Sequence, residues 1–78
     1  MKEKVRKIII DNFIDKDSID DVTDDLGLIS TGILDSVSVL ILVDKLEDEF
    51  NIKFAASEID RDKLDSINLI TDYIQEKL

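Results

Sequence analysis

The sequence predicts an all-α fold, a small antiparallel bundle of three main helices and one short helix. Three observations carry this. Apolar residues recur at helical spacing in three separate stretches. Proline is absent from the 78 residues. Both glycines, Gly27 and Gly32, fall in one central stretch, so chain-breaking residues are concentrated there. By length, residues 1–78 make one domain, and a chain this short buries only about 60% of its unfolded surface.

The first helix rests on Val5, Ile8, Ile9 and Phe13, which repeat at i, i+3, i+4 and i+8 and mark one buried face. Residues 14–35 have no regular period. They are rich in Asp, Ser, Thr and Gly, with Leu26, Leu28, Ile29, Ile33 and Leu34 interspersed. This reads as a long loop that covers the core with its own apolar side chains, and a loop of that length in a small domain points to function.

Residues 36–50 form the clearest helix. Val39, Leu42, Val43, Leu46 and Phe50 share one arc and should face the core. Val37, Ile41, Asp44 and Asp48 occupy the opposite arc, with Leu40 on its flank. Burial of the helix does not require branched apolar residues on that side, which suggests a docking patch. Ser57-Glu58-Ile59-Asp60 has the pattern of a start for a short helical turn. Asp65 or Ser66 can cap a last helix, with Ile67, Ile70, Ile74 and Leu78 on one face, joined by Tyr73.

Composition excludes several functions. The formal net charge of −9 argues against nucleic acid or an anionic membrane surface as partner. No apolar run approaches the roughly 18 residues that a membrane helix needs. Lys2, Glu3, Lys4, Arg6 and Lys7 interrupt any signal-peptide pattern. No stable membrane insertion is therefore expected, and a cytoplasmic location is. Residues 15–50 hold eleven acidic side chains against Lys16 and Lys45 alone. The negative field is thus centred on Asp35-Ser36 and the helix that follows, where it steers positively charged partners.

Catalytic constellations are lacking. The chain has no His and no Cys. A serine nucleophile would need a base, and no Ser-x-x-Lys substitutes for the missing histidine. Independent catalysis is not expected. Asp15, Asp17, Asp20, Asp21, Asp24 and Asp25 resemble a hard-cation site, but an EF-hand loop counted from Asp15 would need Gly and Glu where Asp20 and Leu26 stand. No metal site is expected.

What remains is Gly32-Ile33-Leu34-Asp35-Ser36-Val37, a hydroxyl at the start of an acidic amphipathic helix. Read from the residues alone, Asp35 or Ser36 is a helix cap. The same motif, Gly-x-x-Asp-Ser-hydrophobic after a long loop in an all-helical domain of this size, resembles the acyl carrier protein family over essentially the whole chain. The resemblance implies a four-helix carrier fold, a monomer, and a carrier without independent catalysis.

It further implies that Ser36 accepts 4′-phosphopantetheine from coenzyme A as a phosphodiester. A phosphopantetheinyl transferase would perform that step with Mg²⁺. Cargo would ride as a thioester, loaded by an acyl or aminoacyl ligase or synthase and passed to downstream transferases. Asp35 would be the adjacent motif residue, and helix 36–50 the recognition helix, with Val37, Leu40, Ile41, Asp44, Glu47 and Asp48 meeting partners. The expected function is acyl carriage in fatty acid or related biosynthesis. Two alternatives stand beside it. Gly32-Ile33-Leu34-Asp35-Ser36, with Glu58-Ile59-Asp60-Arg61-Asp62 downstream, is similar to D-alanyl and other freestanding aminoacyl carriers. An unmodified helix-docking protein would use the same exposed face with Asp35-Ser36 as a cap alone.

Overall fold

The computed structural model describes residues 1–78 and is all-helical. Helix α1 spans Lys2–Phe13, α2 Ser36–Phe50, α3 Arg61–Leu64 and α4 Ile67–Lys77. Two 3₁₀ helices, Lys16–Asp21 and Ala56–Glu58, lie in the connections. Helix α1 packs on both α2 and α4, and α3 packs on α4. No helix is long and apolar enough to cross a membrane.

The predicted stripes supply the core. Val5 and Ile9 of α1 are buried, with Ile8 and Phe13 packed at its margin. On α2, Leu42, Val43 and Leu46 are buried, while Val39 and Phe50 are half-buried. Helix α4 contributes Ile67, Ile70, Thr71 and Ile74. Its stripe stops at Ile74, because Leu78 follows the last helical residue and is exposed. The place on that face goes to Thr71, whose hydroxyl donates to Ile67 O (2.7 Å) and so is buried at no cost in unpaired polarity.

The segment 14–35 differs from a simple loop at its start. Asp15 O accepts from Ser18 N (2.9 Å) and opens the 3₁₀ helix Lys16–Asp21. A 3₁₀ turn needs no apolar period of its own, so the sequence pattern does not reveal it. The remainder covers the core as its composition implies. Val22, Leu28 and Leu34 are buried, and Leu26, Ile29 and Ile33 pack against them. A radius of gyration of 11.4 Å matches the roughly 11.5 Å of a fully compact chain of this length, so the segment lies flat on the bundle.

The helix ends show which side chains act as caps. Ser66 is the cap of α4, with its Oγ accepting from Leu69 N (3.1 Å). Ser57 caps nothing; Asp60 caps α3 by accepting from Asp62 N (2.9 Å). Helix α2 ends on Asn51 at φ 54° and ψ 49°, a left-handed residue whose amide donates to Glu47 O. Asparagine is among the few non-glycine residues that tolerate this conformation.

A charged network ties the Ala56–Glu58 turn to the end of α4. The Glu58 carboxylate accepts from Lys77 Nζ (2.6 Å), from the Tyr73 hydroxyl and from Ala55 N (2.8 Å). These donors, Lys77 foremost, hold Glu58 down at about 2, and Glu58 in turn pushes the Tyr73 hydroxyl up to about 12. A carboxyl whose pKa is depressed on folding stabilises the fold above its ordinary value of 4.5 and loses that contribution as pH falls toward about 2. The stability difference between wild type and Glu58→Gln should therefore narrow between pH 4.5 and about 2 in urea titrations. A constant difference across that window would mean that the network contributes nothing through charge.

Candidate functional site

The start of α2 is built by a turn that only glycine accommodates easily. Gly32 sits at φ +84°, with open space around its missing side chain, so the requirement is backbone conformation and not room. Its amide donates to Ile29 O (3.0 Å), and Leu34 N donates to Leu28 O (2.8 Å). Leu34 then enters the core at 1% exposure and fixes the chain immediately before Asp35.

Asp35 takes the capping role. Its Oδ1 accepts from Ser38 N (2.8 Å), and this bond holds the carboxyl below the usual carboxylate range. Ser36 is the first residue of α2 and is exposed, and its hydroxyl is not needed as the cap. The sequence left the cap open between these two residues. The structure assigns it to Asp35 and leaves Ser36 presenting a hydroxyl at a helix N-terminus, where a negative group is favoured.

The turn itself is held by Asp65. This residue does not cap α4; it faces the loop instead. Its Oδ1 accepts from Ile29 N (2.7 Å) and Ser30 N (3.0 Å), and its Oδ2 from the Ser30 hydroxyl. Its own carbonyl accepts from Leu28 N (2.5 Å). The Ser30 hydroxyl, followed by the two amides and the Arg61 charge, lowers the Asp65 pKa. Nearby, Asn68 N donates to Asp24 O (3.0 Å), and its side-chain amide donates to Asp25 Oδ1 (2.5 Å). The α3–α4 junction thus grips the loop that delivers Ser36.

A surface groove of ≈ 520 Å³ opens beside the serine. Asp35, Ser36, Val39 and Leu40 line one wall. Leu34, Ile59 and Arg61 are among the residues that close the rest. Its volume lies within the range of about 300–1,000 Å³ found for small-molecule sites. Val39, read from the sequence as facing the core, also lines this groove, together with the branched side chain of Ile59. Sequence reasoning gave Arg61 no role here, since only the fold brings it to Ser36.

The six proposed docking positions do not form one unit. Val37, Leu40 and Ile41 are 65%, 57% and 45% exposed, and Asp44 is exposed alongside them. Glu47 is half-buried, and its Oε2 accepts from Phe54 N (2.8 Å), which commits it to the segment after α2. Asp48 is exposed beside Ile8 and Asn12 of α1, about 18 Å along the helix from Ser36. Of the loop aspartates, Asp24 pairs with Lys2 (3.6 Å) and Arg6 (3.4 Å), and the chain contains no grouping of three potential metal ligands.

A sequence model of the phosphopantetheine attachment site matches residues 3–74. The D-alanyl carrier protein of Lactococcus lactis subsp. cremoris (strain MG1363) is 40% identical over 53 residues, covering 68% of this chain and 67% of the relative. That of Lacticaseibacillus casei (strain BL23) is 32% identical over 76 residues, 95% and 94% of the two chains. That of Streptococcus uberis is 36% identical over 74 residues, 92% of each.

Separate caps and hydroxyls give separable variants. Asp35→Ala should lower stability by about 1 kcal/mol in denaturant titrations, the usual worth of an N-cap. Ser36→Ala should stay within about 0.5 kcal/mol of wild type. Equal losses would mean that the serine shares the cap. Asp65→Ala removes the acceptor for two loop amides and should cost about 1–2 kcal/mol, with faster hydrogen exchange at Ile29 and Ser30.

Proposed function

This chain belongs to the phosphopantetheine attachment-site family, and from that premise we propose that Ser36 bears the 4′-phosphopantetheine arm and that the cargo is an aminoacyl group, D-alanine in the first instance. The family is defined by covalent attachment of this cofactor, and the protein is a carrier. The observation that carries the assignment to Ser36 is its exposed hydroxyl at the first position of α2, with the capping duty held by Asp35.

The residues present fit such a group. The helix start offers a favourable field for a phosphodiester, and Arg61 shares the groove as a cation. When bound, the arm supplies a thiol, which this chain of no cysteines lacks, and holds cargo there as a thioester. The protein's own residues position the arm and present it. Val37, Leu40, Ile41 and Asp44 form the exposed face around it, a mixed apolar and acidic surface for partners with basic entrances. Those partners are a phosphopantetheinyl transferase, a loading ligase that adenylates the amino acid, and a downstream acceptor transferase. The chemistry belongs to them, and the carrier acts in the cytoplasm as a monomer.

Two features favour aminoacyl over fatty acyl cargo. The relatives quoted above carry the D-alanyl name over 67–94% of their own lengths. The interior is also filled: Leu28, Leu42, Leu46, Ile70 and Ile74 are each 0% exposed and pack as one cluster. A long acyl chain would have to displace such side chains from a close-packed core, whereas an alanyl group needs no burial.

Incubation with coenzyme A and a phosphopantetheinyl transferase should add one arm to Ser36, read by intact mass with fragmentation, and none to Ser36→Ala. The modified protein, given ATP, D-alanine and a D-alanine-adenylating ligase, should form a hydroxylamine-labile alanyl thioester. Modification at Ser36 followed by loading with fatty acids but not D-alanine would replace the cargo assignment. An unmodified mass would leave Ser36 as a surface residue of a docking protein.

A further inference from the structure

We propose that Arg61 is the protein's own partner for the phosphodiester on Ser36, and that the groove it borders is where the arm rests between deliveries. This rests on the attachment of the arm to Ser36. Arg61 and Ser36 come from segments 25 residues apart in sequence but line the same groove. The Asp60 cap fixes the backbone at Arg61, because Asp60 Oδ1 accepts from Asp62 N (2.9 Å) at the entry to α3.

Arg61 is exposed and forms none of the six ion pairs in the chain. Its charge acts on the Asp65 carboxylate, and that group already accepts from Ile29 N, Ser30 N and the Ser30 hydroxyl. The guanidinium therefore has donors to spare. A phosphodiester on Ser36 would place a negative charge next to the Asp35 carboxylate, in a protein of net charge −9. The groove needs a cation to offset that repulsion, and Arg61 is the only Lys or Arg among its lining residues. Arginine's planar fork meets two phosphoryl oxygens in a fixed bidentate geometry, which the compact point charge of a lysine does not offer.

The rest of the groove matches the rest of the arm. Val39, Leu40 and Ile59 offer branched apolar surface beyond the charged end. The pantoyl unit next to the phosphate carries two geminal methyl groups, which suit such a surface. An exposed ion pair is weak, so the arm can rest there and still be given up to a partner enzyme.

The test uses the modified full-length protein. Intact mass first establishes that Ser36 carries one arm; an unchanged mass overturns both the attachment and this proposal. On the modified protein, NMR should show the Arg61 side-chain Nε resonance and the Ile59 and Val39 methyl resonances displaced from their unmodified positions. Nuclear Overhauser contacts should link the pantoyl methyls to Ile59. In Arg61→Gln those contacts should weaken about two- to five-fold at low salt, the range of an exposed ion pair, with Arg61→Lys intermediate. Lys63→Gln serves as the control, because Lys63 Nζ lies over the Tyr73 ring, 4.9 Å from its centroid, and not in the groove. Circular dichroism verifies that the variants fold. A modified protein with an unmoved Arg61 resonance, or with contacts that survive Arg61→Gln or fall equally in Lys63→Gln, overturns the proposal and leaves the attachment standing.

Discussion

The Asp65 carboxylate is the interaction on which the rest of the molecule depends. It collects two backbone amides and a hydroxyl from residues 29–30, while the Asp65 carbonyl takes the amide of Leu28. Without it, residues 28–30 would keep their apolar contacts but lose the bonds to the α3–α4 junction that set their position. Hydrophobic burial is non-directional, whereas hydrogen bonds fix position. With it, Leu28 and Leu34 enter the core as a pair, and the turn at Gly32 delivers Asp35 and Ser36 to one defined place. The junction that makes the anchor also carries Arg61 and the cap Ser66. One short stretch of chain thereby fixes the loop, starts the last helix and forms the far wall of the groove.

At the start of α2 two adjacent polar residues divide two tasks that could have fallen to one. Asp35 satisfies a free amide of the first turn and, as an anion there, complements the helix dipole. Ser36 is left exposed at the first position of the helix. Under the proposed attachment at Ser36, this separation matters. If the serine were the cap, modifying it would remove a stabilising contact each time an arm was attached. The exposed apolar residues Val37, Leu40 and Ile41 would suit the proposed docking role, since a surface met briefly by partners works with few anchors and weak burial.

Most of the surface charge contributes little to stability. The Lys7–Asp11 pair on α1, at 2.8 Å, is solvent-exposed and adds little to stability. The Glu58–Tyr73–Lys77 network is the more organised one. It closes the bundle at the end of α4, with Lys77 Nζ also 5.3 Å from the Phe54 ring centroid. The acids on α2 have different fates. Asp44 remains free on the exposed face, while Glu47 is drawn into holding Phe54 N. Acidity on a helix is therefore not equivalent to a docking surface, because a carboxylate within reach of an unpaired amide will take it.

The sequence by itself determined the helices and their inward faces. Val5 and Ile9, Leu42 and Leu46, and Ile67, Ile70 and Ile74 repeat at a spacing that permits little but a buried helical stripe. It also determined where a hydroxyl stands at a helix start, because Asp35-Ser36 precedes the strongest stripe in the chain. The tertiary structure decided what pattern does not encode. It turned Asp65 from a possible cap to a loop anchor, moved the start of the short helix from Ser57 to Asp60, buried Thr71 in place of Leu78, and brought Arg61 into the groove of Ser36. The physical reason is the same in each case. Periodicity reports which residues lose water along one element, whereas the partner of a polar side chain is settled by which other segment arrives within about 3 Å of it.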